Sequence, residues 1–113
     1  MVAEELHLVD KNNTSRMILY VESSNGQPSL QLNGEDGLAR IQIALNPDGS
    51  PVISLSRPDG KGLIGLGANR GSGVGLSIND QEGNIAIHLC VFSDGARQID
   101  IYDAKGKPVW SAR

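Results

Sequence analysis

Two histidines, one cysteine and a set of turn aspartates are the residues of this chain whose chemistry could reach beyond packing. His88 and Cys90 stand two apart, so on a strand they would share one face. Two soft ligands do not make a zinc site, which takes four, and no third partner lies within sequence reach. A Cys–His nucleophile pair would also need a group to orient the imidazole, and the neighbouring sequence offers none. His7 lies far from both. Asp36, Asp48, Asp59 and Asp94 each precede a glycine. Calcium needs six or more converging oxygens, and neither an EF-hand nor a GGxGxD pattern is present. These acids read as turn residues. No catalytic residue, metal or cofactor is expected, and the chain is not expected to be an enzyme.

What positions these residues is a repeat. Cut every 23 residues, the chain falls into units at 27–49, 50–72 and 73–95, with an earlier copy at 3–26 carrying one inserted residue and a shorter one at 96–113. A fixed period of this size marks an architecture of stacked or circularly arranged units, and 1–113 reads as a single repeat domain. Four columns are apolar. Position 4 holds Leu6, Leu30, Ile53, Leu76 and Ile99, and position 6 holds Leu8, Leu32, Leu55, Ile78 and Ile101. Position 15 holds Met17, Ile41, Ile64, Ile87 and Trp110; position 17 holds Leu19, Ile43, Leu66, Leu89 and Ala112. Alternation of this kind, rich in Ile, Leu and Val, is the signal of half-buried strands.

Turn chemistry supplies the register. Position 11 is Gly37, Gly60, Gly83 and Gly106, with Asn13 in the first copy, and Asn is the best non-glycine residue at positive φ. A two-residue Asp-Gly turn centred there places position 6 opposite 15 and position 4 opposite 17. The second turn must be odd in length to keep apolar residues on one face, and Pro47-Asp48-Gly49 suits a type I turn with a glycine bulge. Two placements of it keep the faces matched: one without offset, the other shifting register by two residues per repeat. The shift would give a shear near ten for ten strands, a geometry that closes. The expectation is an all-β fold of about ten short antiparallel strands, an up-and-down meander closing into a barrel-like structure. A β-solenoid and an open meander are the competitors. Trp110 is expected to plug one region of the barrel interior; the alternative to an assembly role is a small-ligand-binding barrel, whose lumen would admit a small apolar ligand.

Positions 5, 7, 14, 16 and 18 then point away from the core. Closure of the last hairpin on the first would gather Val9, Ile18, Tyr20, Tyr102 and Val109 into one exterior apolar patch, a candidate interface for a homo-oligomer. Gly65, Gly67 and Gly75 form a bald exterior region beside Ser54 and Ser77, the candidate ligand-binding face.

The unit L-x-L-x-D-x-x-G, followed by a second D-G turn, resembles tandem hairpin repeats found in many uncharacterised bacterial proteins. That resemblance implies a scaffold and no activity. The interspersed charges, net −3, lack the basic stripe of a nucleic-acid binder. No membrane-spanning or signal segment is evident, and a cytoplasmic, non-enzymatic binding or assembly module is expected.

Overall fold

In a computed structural model, which describes residues 3–61, 63–69 and 73–113, the chain is a single antiparallel sheet. Its ten strands run β1 (Glu5–Val9), β2 (Ser15–Val21), β3 (Pro28–Asn33), β4 (Ala39–Leu45), β5 (Pro51–Ser56), β6 (Leu63–Asn69), β7 (Gly73–Asn79), β8 (Ile85–Val91), β9 (Arg97–Tyr102) and β10 (Pro108–Ala112). Each pairs only with its neighbours in the chain, in the order β1 to β10.

The apolar columns set the register throughout. Within hairpins Leu32 faces Ile41 and Leu30 faces Ile43. Between repeats Met17 faces Leu32 and Leu19 faces Leu30. A column that meets itself at every junction has no offset. The whole sheet therefore carries two unbroken rungs, one from Leu6 and Leu19 to Ile99 and Ala112, the other from Leu8 and Met17 to Ile101 and Trp110.

That register decides the architecture. A barrel closes only when staggered strands tilt around an axis, and a ladder without stagger has nothing to close it. The sheet is open: β1 and β10 are its two edges, and the barrel expected from the sequence is not formed. It measures 48 × 30 × 18 Å, long in the direction in which strands are added.

The turns explain how the faces stay in phase. The second turn is the three-residue loop expected. The Gly49 amide donates to the Asn46 carbonyl (2.8 Å), the Asn46 amide donates to the Ser50 carbonyl (2.9 Å), and Gly49 takes φ 85°. The first turn differs from the two-residue loop expected. The Gly37 amide donates to the Gly34 carbonyl (3.0 Å) and the Gly34 amide to the Leu38 carbonyl (2.9 Å), so the loop is three residues long. A β-bulge between Leu32 and Asn33 then restores the face that the odd loop would have lost. Asn13 has φ 64°, in the left-handed region its column requires.

The aspartates are consumed by this turn geometry. Asp36, Asp48, Asp59 and Asp94 each accept a hydrogen bond from the amide two residues on, all at 2.9 Å. Side-chain acceptance of this kind is the Asx turn.

Candidate functional site

A single-layer sheet has two faces, and here they differ in kind. One carries the two aliphatic rungs. No apolar residue among those described is buried: Leu66 is 45% exposed, Ile43 44% and Trp110 52%. The chain exposes 7843 Å², whereas a compact monomer of 12.0 kDa exposes about 6,000 Å². Its radius of gyration, 16.7 Å, likewise exceeds the ~13 Å of a compact domain this long. The difference is the missing second layer. Trp110 has no interior to plug, and no lumen exists among the described residues to hold an apolar ligand. A shallow apolar groove of about 390 Å³ runs over Leu66, Leu76, Leu89 and Ile99 on this face.

The opposite face is polar, and its central rung reads His7, Ile18, Gln31, Gln42, Ser54, Gly65, Ser77, His88, Asp100 and Ser111 across all ten strands. Ser77, His88 and Asp100 are thus consecutive, the side-chain set of a hydrolytic triad. Their geometry is not that of one. The Ser77 hydroxyl leans toward Gly65, lying 3.3 Å from where a Cβ there would stand, and the His88 Nε2 leans toward Gly75. Among the described residues no hydrogen bond joins the three.

Asp100 is instead the centre of a structural knot. It is the most buried residue described, at 1% exposure, and its carboxylate is surrounded by donors. The Ser111 hydroxyl donates to Oδ1 (2.7 Å), Gln98 Nε2 and the Tyr102 hydroxyl donate to Oδ2, and the Arg113 guanidinium lies 3.5 Å from Oδ1. The hydroxyl of Ser111 and the amide of Gln98 together hold its pKa below the usual carboxylate range. Burial, with the Asp100 charge beside it, pushes the Tyr102 phenol up. Copy five signals this knot in its sequence: Gln98, Asp100 and Tyr102 alternate on one face of β9, and no other copy places a carboxylate at the repeat position of Asp100.

The Ser/Gly region forms a hollow of about 320 Å³ floored by Gly65, Gly67 and Gly75 and flanked by Ser77, His88 and Cys90. Ser54 faces Gly65 across β5 and β6. The sheet therefore does gather these residues on one face, although residues 62 and 70–72 of the glycine-rich stretch 60–75 lie outside the described residues.

The exterior patch is split. Val9, Ile18 and Tyr20 are on β1 and β2, whereas Tyr102 and Val109 are on β9 and β10. Seven strand spacings separate β2 from β9, about 34 Å at the ordinary interstrand distance. With the sheet open, nothing within one chain brings the two halves together.

Among the described residues there is no helix long and apolar enough to cross a membrane, and no group of three or more metal-ligating side chains. No family model matches the chain, and no curated protein matches it at a significant level.

Proposed function

We propose that the protein is a non-enzymatic assembly module, and that a second copy of the chain covers its aliphatic face. The observation that carries this is the pair of unbroken apolar rungs across all ten strands, none of whose residues is buried. Apolar surface contributes about 25 cal/mol per Å² when removed from water, and here a single chain provides nothing to remove it. The burial that barrel closure would have given is supplied between chains instead.

The area fits a like partner. A standard interface covers about 800 Å² on each side, and the excess over a compact monomer is roughly twice that. A sheet bearing the same two rungs offers a matching face, and two such sheets stack as an aligned sandwich about 10 Å apart. A two-fold axis between them makes the contact self-complementary. The surface doing this is the face read from the sequence as the barrel interior, rather than the exterior patch.

Sedimentation velocity at tens of micromolar is expected to give a dimer or larger species, and the melting temperature is expected to rise with protein concentration because folding and association share one core. A monomer with a cooperative, concentration-independent transition overturns the reading.

A further inference from the structure

The open ends of the sheet are complementary to one another. We propose that β10 of one copy pairs with β1 of the next, joining copies head to tail in the register that already joins repeats within the chain. This concerns the sheet edges and stands apart from the face pairing above.

Hydrogen-bonding direction provides the first argument. Backbone groups alternate in direction along an antiparallel strand. The Val21 amide donates to the Glu4 carbonyl (3.0 Å), so Glu4 faces β2, and Glu5 and His7 turn their amides and carbonyls to the free edge. At the other end the Phe92 amide donates to the Ala96 carbonyl (2.8 Å), which directs Gln98 and Asp100 to β8, and Ile99 with its partner Ala112 to one another. Ser111 and Arg113 are then the residues whose backbone groups face outward. Each edge offers its free groups at alternate residues, as a ladder needs.

Register provides the second. At internal junctions position 16 faces position 5 and position 18 faces position 3, as Ile18 faces Gln31 and Tyr20 faces Ser29. Carried to the chain ends, the same rule sets Ser111 against His7 of the next copy and Arg113 against Glu5. The outward residues of one edge meet the outward residues of the other. The apolar rungs also continue, Ala112 meeting Leu6 and Trp110 meeting Leu8.

Charge provides the third. Arg113 is 64% exposed at the β10 edge, and Glu5, 59% exposed, holds the matching place on β1. An opposite-charge pair directly across a ladder is favourable where a like pair is not. The same pairing draws Val9, Ile18 and Tyr20 of one copy toward Tyr102 and Val109 of another, assembling between chains the patch that one chain leaves split.

Such a contact is heterologous, so it extends until a ring closes. Bulges between Leu8 and Val9 and between Pro108 and Trp110 confine it to the ends of the two strands, which makes it short and reversible.

The test is sedimentation of the full chain beside a His7→Pro variant. Proline removes an amide that the chain itself does not use, a substitution edge strands accept. The wild type is expected to form a concentration-dependent series beyond the dimer, and His7→Pro to stop at the dimer. His7→Pro stopping at the monomer, with the wild type still growing, supports edge pairing and removes face pairing. A wild type that ends at the dimer, or a His7→Pro chain that grows as the wild type does, overturns edge pairing. A Ser111→Pro chain should likewise fail to grow alone yet join His7→Pro one to one, since each variant keeps the edge that the other lacks. Ser111→Ala keeps the amide and loses only the hydroxyl, and it is expected to grow as the wild type does.

Discussion

The Ser111 hydroxyl donates to Asp100 Oδ1 across β9 and β10 at 2.7 Å, and it does so on the polar face of a sheet in which no described apolar residue is buried. The most buried side chain among the described residues is a carboxylate, held at the C-terminal edge by hydrogen bonds instead of packing. A buried acceptor that loses its donors costs more than the bonds contributed.

Asp100 accordingly links stability to pH. Its folded pKa is lowered, first by Ser111 and then by Gln98. A carboxylate lowered in the folded state stabilises above its unfolded value, about 3.9, and that contribution is lost as pH falls through the lower folded value. Asp10, lowered mainly by the Thr14 amide, and Asp36, lowered mainly by the Arg40 guanidinium, act in the same direction. The melting temperature is expected to fall as pH drops below about 4. Asp100→Asn should melt lower at pH 7 and show a shallower decline in acid, measured by circular dichroism between pH 2 and 7. An unchanged acid slope would remove Asp100 from this role.

Asn13 occupies the turn column that the other four copies fill with glycine, and its φ is 64°. A residue with a Cβ pays about 1–2 kcal/mol in that region, and Asn pays less because its side chain bonds locally. Asn13→Val is expected to destabilise the β1–β2 hairpin by about that amount, while Asn13→Gly should be close to neutral. Chemical denaturation of the three proteins at one fixed concentration reads the difference directly. Equal losses for valine and glycine would show that the side chain, and not the backbone, matters there.

Most of the architecture was legible because each turn had to keep Leu, Ile and Val on one side. Leu32 opposite Ile41 and Leu30 opposite Ile43 follow from that requirement alone. Closure was not legible, because two placements of the Pro47-Asp48-Gly49 turn satisfy it equally. They differ only in offset, which no side chain on a two-residue period reports. The first turn hid its length for a related reason: a three-residue loop plus a bulge after Leu32 leaves the same residues facing each other as a two-residue loop would. The exterior patch depended on that closure, and in the open sheet Val9, Ile18 and Tyr20 lie at one end and Tyr102 and Val109 at the other. Leu66 and Leu89 were read as interior, and an interior needs walls on every side. Asp100 escaped notice because a single acid in a strand looks like solvent-facing polarity until Ser111 and Arg113 are brought across from β10.

Trp110 offers the most direct view of the aliphatic face. It is the only tryptophan in the chain, it ends one apolar rung opposite Ile101, and it is 52% exposed in the single chain. Covering the face with a second copy would take the indole out of water, so its emission is expected to move to shorter wavelength as protein concentration rises. Because no apolar residue among those described is buried within one chain, the shift should follow the same concentration dependence as the melting temperature. Cys90 serves as the internal control. It stands on the polar face of β8, paired with Gln98, so face pairing leaves it open to thiol reagents at every concentration. A cysteine placed by Leu66→Cys, on the aliphatic face of β6, should become protected as the tryptophan emission shifts. Protection of Cys90 with continued reactivity at position 66 would mean that copies meet through the polar face, and the assignment of the two faces would have to be reversed.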